Sequence, residues 1–307
     1  MSQASATLVP PDVTTDLNVT ELNPHDLNPH DLDPYVEGFK RDGYAIFPGV
    51  FTEGQRQSMI ELHGQLARRS AATGKPNFWF GGVFEESPET FLPAVSHPVL
   101  LDFAERVMGP FVQLDNLSLV GFPSVDPVAA VGKVSGWHRD RWAKIPAGVY
   151  ERPLAINAIS YFQDLDEFTG PLRVIPGSHR EPITLEERER ALPHPQERIV
   201  FLKAGDVVFI HNALLHSGTP NISGRTRFFF SLYYNLTWLH STDSHNGPAT
   251  QAILARAREN RDFRTQRLFG ADEQMPARAN SGFVRSDEEL WAQWCAADRA
   301  ALVPNGA

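Results

Sequence analysis

Between Phe111 and Asn235 the chain is written almost wholly in short β-branched and aromatic runs, with little helical periodicity between them. The runs are FVQLDNLSLVGF, PLAINAISYF, PLRVIPGS, RIVFL, GDVVFI and RTRFFFSLYYN, and Gly, Pro, Asp and Asn punctuate them. Parallel strands need long, usually helical, crossovers, and this stretch has no room for a regular set of them. The pattern therefore predicts antiparallel layers, a sandwich or a jelly roll. A helical excursion is expected only at 183–192 (TLEERERAL and its neighbours).

Helices are expected outside that stretch. Tyr35 and Phe39 suggest a short helix running into a strand at GYAIFPGVF. Thr52 is a good N-cap for an amphipathic helix over 53–68 carrying Met59, Ile60, Leu62 and Leu66. Pro98 opens a second helix over 97–108, and Ser286 with an acidic first turn opens a last one over 286–301. No linker divides the pattern, so residues 34–307 are expected to form a single domain. Residues 1–33 read as a flexible arm, poor in aromatics and carrying the direct repeat Leu-Asn-Pro-His-Asp at 22–26 and 27–31. Its His25 and His30 fit that arm better than a metal tract.

Composition narrows the partners. With 28 basic against 37 acidic side chains the net charge is −9, which argues against nucleic acid or an anionic membrane as a partner. No apolar run is long enough to span a bilayer, and the N-terminus lacks the basic and apolar segments of a secretory signal. Cys295 is the single cysteine, so neither a disulfide nor a cysteine-based zinc site can form within one chain. The expectation is a cytoplasmic protein that handles a small-molecule substrate.

The chemistry concentrates in Gly136-Trp137-His138-Arg139-Asp140. In extended chain alternate residues share a side, so His138 and Asp140 project together while Arg139 points away. An imidazole and a carboxylate so placed are two members of a 2-His-1-carboxylate triad, which suits Fe(II) because it leaves open positions. The third member has to be returned by the fold, and His211 and His216 both qualify. Without it, His138 and Asp140 are better explained as a hydrogen-bonded pair that stabilises a strand. Beyond them, Arg227 enters the apolar strand RFFFSLYY, where a guanidinium is costly unless a carboxylate meets its fork. Arg225 would face the same side, but the Ser-Gly turn before it places it nearer solvent.

Taken with three further segments, the chain resembles the phytanoyl-CoA dioxygenase (PhyH-like) family of Fe(II)/2-oxoglutarate-dependent oxygenases. The resemblance rests on KRDGYAIFPGVFT at 40–52, WHRD at 137–140, GPLRVIPGSHR at 170–180 and GDVVFIHNALLHSGTPNISGRTR at 205–227, in that order and spacing. It implies a mainly β fold with flanking α-helices: a double-stranded β-helix, or cupin-like jelly roll, with N-terminal helices buttressing one sheet. It also implies iron ligands at His138, Asp140 and His216, with Arg227 anchoring the distal carboxylate of the cosubstrate 2-oxoglutarate. Members usually carry a small hydroxyl residue two positions after the second histidine. Here Gly218 stands there, and Thr219 is the substitute expected to help Arg227. Asn116 is expected to assist the other end of the cosubstrate, with Gln113 and Asn157 as rivals. His211 and His179 are expected to be structural.

The reaction so implied consumes O2 and 2-oxoglutarate, releases succinate and CO2, and oxidises an unactivated C–H bond, most simply by hydroxylation. Asp140 is present where halogenating relatives leave the carboxylate position vacant, so oxygenation is expected. No Lys/Arg cluster near the motifs suits a CoA thioester. The aromatics Phe78, Trp79 and Trp142 are candidates for the substrate wall, which points to a bulky, largely apolar specialised metabolite. A free amino acid or other small polar metabolite is the alternative substrate. A non-catalytic protein that binds metal or a keto acid, and a zinc hydrolase using the same ligands, are alternatives of another class.

Overall fold

The computed structural model describes residues 32–279 and 285–303. The arm expected over residues 1–33 therefore falls, up to residue 31, outside the described residues. Among the described residues nine strands make two antiparallel sheets, as the missing crossovers require. The larger sheet runs in the order β1 (Tyr44–Phe47), β7 (Val207–His211), β4 (Ala155–Tyr161), β9 (Arg227–Leu236), β3 (Val112–Phe122), β2 (Trp79–Gly81). The smaller has the order β6 (Arg198–Val200), β5 (Leu172–Val174), β8 (His216–Gly218). Mainly β with flanking helices, this is the double-stranded β-helix expected.

Alternation along the strands splits the core in two. Leu117, Leu119, Ile156, Ala158, Phe209, Phe230 and Leu232 face outward from the large sheet into a cluster with the helices. Those helices are α1 (Asp33–Asp42), α2 (Glu53–Ala72), α3 (Pro88–Val95) and α4 (Pro98–Met108). The intervening residues Val120, Ile159, Tyr161, Val208, Ile210 and Phe229 face inward and meet Leu172, Val174 and Val200 of the small sheet. The site lies on this inner side. No helix among the described residues is long and apolar enough to cross a membrane.

Local signals hold where they are strongest. Thr52 caps α2 in a reciprocal box with Gln55, each accepting from the other's backbone N–H. Ser286 caps the C-terminal helix α9 (Asp287–Ala301), whose Asp298 is gripped by Arg267 and Arg278. The excursion at 183–192 is corrected: only a single 3-10 turn forms, at Glu187–Glu189. Its charged residues offer no apolar stripe, and only Ile183 and Leu185 reach a core, a small one with Val134, Trp137, Ile175 and Leu215. The helices α6 (Pro248–Glu259), α7 (Phe263–Leu268) and α8 (Met275–Arg278) follow β9 and were not anticipated.

Candidate functional site

β8 pairs with β5 through Val174↔His216 and Leu172↔Gly218, so His216 and Gly218 look inward like their partners. On the free edge of β8, His138 N–H donates to His216 O and His216 N–H to His138 O, both at 3.0 Å. That single bridge sets His138 opposite His216. The segment is otherwise irregular, with Gly136 at φ +121°. Asp140 is held by its N–H on Asn212 O at 2.8 Å. Arg139 turns away, as alternation predicts, and donates to the carbonyls of Ala213, Ser178 and Ile183. It thereby ties three loops around the site.

Asp140 Oδ1 lies 3.7 Å from His138 Nε2 and 3.6 Å from His216 Nε2. Among the described residues this trio is the one group of its kind with ligand atoms gathered within 4.8 Å. Each imidazole donates Nδ1–H to the carbonyl two residues before it, His138 to Gly136 O at 2.9 Å and His216 to Leu214 O at 3.0 Å. The proton is thus fixed on Nδ1 and the Nε2 lone pair faces the cluster. Burial, and after it the nearby His216, hold the His138 pKa below the ordinary imidazole value, so the ring is neutral at pH 7. Asp140 Oδ2 is buried without a hydrogen-bond partner. A carboxylate oxygen in that condition is costly until a cation meets it. The donor set, two imidazole nitrogens and one carboxylate, fits Fe(II).

Arg227 opens β9, opposite Phe122 of β3. Its side chain is buried while Arg225 is exposed. Nη1 donates to the carbonyls of Thr169 at 3.3 Å, Thr219 at 2.9 Å and Gly170. Gly170 sits at φ +84°, and a Cβ there would collide with Nη1 and with Thr219 O, so the cradle needs glycine. Nε is buried and unpartnered, and no carboxylate among the described residues pairs with this guanidinium. Burial lowers its pKa, yet an arginine stays charged in a protein. With Nη1 spent on carbonyls, the Nε–Nη2 edge is left to grip a carboxylate side-on.

The remaining candidates are placed as follows. The Thr219 hydroxyl accepts from Arg173 Nε at 2.8 Å, beside Glu197, so its carbonyl rather than its hydroxyl meets Arg227. Asn116 spends its amide on Asp243 Oδ1 at 2.6 Å, while its oxygen accepts from Ser118. Its rival Gln113 bonds the carbonyls of Leu236 and Leu239. Asn157 accepts from Ser231 Oγ and pairs in register with Tyr233. Phe78 and Trp79 are half-exposed and rest on Phe122 and, for Trp79, Phe229, beside the Arg227 end of the inner face. Trp142 lines a cavity of about 90 Å³ with His179 and His211 instead. His211 gives Nε2–H to Glu151 O and accepts from Ala213 N–H at Nδ1, which leaves no nitrogen for a metal.

Tyr233 was missed, although counting by twos from Arg227 along β9 reaches it through Phe229 and Ser231. Burial, and then the Asp140 carboxylate beside it, push its phenol well above the ordinary value, so it stays protonated facing the His-Asp-His cluster.

Solved structures share this fold. HygX from Streptomyces hygroscopicus, with nickel and 2-oxoglutarate bound, is 18% identical at a TM-score of 0.56, covering 68% of this chain and 88% of that one. The non-heme alpha ketoglutarate dependent epimerase SnoN from nogalamycin biosynthesis is 23% identical at 0.52, covering 68% and 85%. The carbocyclase SnoK from the same biosynthesis is 18% identical at 0.51, covering 70% and 87%. No curated protein matches the chain in sequence. The sequence profile of phytanoyl-CoA dioxygenase (PhyH) matches residues 39–229, which span both sheets, the His-Asp-His cluster and Arg227. The chain therefore belongs to the PhyH family and is a non-haem enzyme dependent on Fe(II), 2-oxoglutarate and O2.

Proposed function

We propose that residues 34–307 act as one catalytic domain that hydroxylates an unactivated C–H bond of a small-molecule specialised metabolite. His138, Asp140 and His216 hold the Fe(II), and Arg227 holds the distal carboxylate of 2-oxoglutarate. The observation that carries this reading is the pairing of two ligand-binding groups on one inner face. One is a cluster of metal donors with a buried, unpartnered carboxylate oxygen, and the other is a buried guanidinium whose carboxylate-binding edge is free.

When bound, the iron supplies the activation of O2 coupled to conversion of 2-oxoglutarate to succinate and CO2. The chain's own residues do the rest. The backbone carbonyls of Gly136 and Leu214 keep both Nε2 lone pairs aimed at one point. Arg227 fixes the far end of the keto acid, so its reacting end is presented in one orientation. Asn157, whose amide is not committed to an acid as that of Asn116 is, is the residue for the near end. Phe78 and Trp79, over Phe122 and Phe229, screen the Arg227 end from water and offer apolar surface to a bulky skeleton. Ser118, Asn157 and Ser231 on the same face favour a substrate that also carries polar groups, the ground for keeping small polar metabolites in any screen.

The test is an anaerobic titration of the apo-protein with Fe(II) and then 2-oxoglutarate, following the visible charge-transfer band of the chelated keto acid. The expected result is a band that candidate metabolites perturb, with faster succinate formation in air. Folded, iron-loaded protein without a band would overturn the reading. Product mass then separates the outcomes. Hydroxylation adds one oxygen, ring closure removes two hydrogens, and epimerisation leaves the mass unchanged.

A further inference from the structure

The charged stretch at 183–192 forms no helix, yet it is bonded to the segment that carries His138 and Asp140. Arg139 Nη2 donates to Ile183 O at 3.0 Å, Val134 N–H to Ala191 O at 3.0 Å and the Trp137 indole Nε1–H to Leu192 O at 2.8 Å. The backbone around His138 divides its hydrogen bonds between two partners. On the β8 side, His216 meets both the N–H and the carbonyl of His138. On the other side, Trp137 N–H donates to Arg190 O at 2.8 Å, and Trp137 O accepts from Arg190 Nε at 3.3 Å. A partner in a β-ladder would return that second bond from its own backbone N–H. Arg190 N–H already bonds Glu187 O behind the 3-10 turn, so the side chain supplies the donor instead. Arg190 thus stands in for a missing strand at the residue before His138. Gly136, at φ +121°, precedes that residue and gives the segment no stiffness of its own.

We infer that Arg190 is a positioning residue for the metal site: it fixes the backbone of Trp137, and through it the direction of the His138 imidazole. The inference rests on the reading of His138, Asp140 and His216 as metal ligands and extends it to a segment outside the ligand set. That segment is itself held weakly. Only Ile183 and Leu185 of it reach a core, and residues 186–192 are exposed. The ion pair of Arg190 with Glu187 lies on the surface, where such pairs contribute little. A segment with so little buried surface opens without unfolding the domain. Opening takes both Arg190 bonds away from Trp137. Metal binding and closure of the segment therefore favour each other, by the same factor in both directions.

The experiment pairs calorimetric titration of the full-length protein with Mn(II) and limited trypsin cleavage, followed by mass at the Arg188–Glu189 bond. Arg190→Gln keeps an N–H donor at the position of Nε, whereas Arg190→Met keeps the stem and loses the donor. Arg190→Met should bind Mn(II) about fivefold more weakly, the size of one hydrogen bond, and Arg190→Gln should stay within about twofold of the parent. Saturating Mn(II) should slow cleavage of the parent about tenfold or more and leave that of His216→Ala unchanged. Parent-like Mn(II) affinity in Arg190→Met, even with a lowered Tm, would overturn the inference by leaving Arg190 a structural role alone. Equal loss in the two Arg190 variants would also overturn it, because the donor would then not be what acts. So would a cleavage rate that Mn(II) leaves unchanged in parent protein shown by calorimetry to bind it. A parent that binds no Mn(II) would instead remove the ligand reading, and this inference with it.

Discussion

Two histidine clusters lie a few residues apart in this protein, and they are wired in opposite ways. His138 and His216, with ring centroids 4.3 Å apart, each spend Nδ1 on the carbonyl two residues upstream and leave Nε2 open. His179 and His211, 4.9 Å apart, each spend Nε2 on a carbonyl distant in sequence, Lys40 O and Glu151 O. The second pair has Tyr150 as its neighbour, and among the described residues it belongs to no three-ligand group of the His138–Asp140–His216 kind. His216, His179 and His211 are all buried and His138 is exposed, so burial by itself does not sort the two pairs. What distinguishes a candidate metal ligand from a packed ring here is which nitrogen the backbone has already claimed.

The largest effect that can break this contrast is on metal binding. His138→Ala or His216→Ala should abolish retention of Fe(II) or Mn(II) by dialysed protein, whereas His211→Ala should keep it and keep measurable turnover. Equal loss in all three variants would reopen the choice of ligands. Next in size, Arg227→Ala should raise the 2-oxoglutarate requirement on the order of a hundredfold, since a buried charge contact is removed. A kinetic titration in which only Arg225→Ala moves that requirement would transfer the anchor to the exposed arginine.

The packed pair predicts a smaller, pH-dependent effect. Burial holds His179 down to about 4 and His211 down to about 3, from 6.5. The unfolded chain therefore binds these protons first, and stability is complete above about pH 6.5 and falls as the pH drops toward 4 and 3. Denaturant melts of His211→Gln between these limits should show a shallower pH dependence than the parent; an identical slope would show that other groups carry it. Smallest of all, Trp79→Ala should weaken the response to substrate severalfold and leave 2-oxoglutarate affinity unchanged, because a half-exposed ring contributes surface rather than charge. Calorimetry with 2-oxoglutarate would expose the error if that affinity also fell.

Much of the site was legible because its signals are local. His138 and Asp140 are two residues apart, Arg227 interrupts an apolar strand, and Thr52 and Ser286 announce their helices. The failures follow from the same logic. The charged 183–192 stretch has helical composition but nothing to bury, so it forms only a turn. Thr219 follows Gly218 and its carbonyl meets Arg227, but its hydroxyl is turned to Arg173. Asn116 is on the right face, but Asp243, which the chain returns from beyond β9, has taken its amide.

The sequence by itself determined the antiparallel layering, the types of ligand and the presence of a buried arginine, since alternation, punctuation and residue chemistry are properties of neighbouring positions. Which nitrogen of each histidine remains open and which edge of Arg227 is free were decided only by the tertiary structure. Each depends on the register between segments such as Gly136 and Ser217, which lie 81 residues apart. Register is set by how whole strands pack, so no local pattern could have specified it.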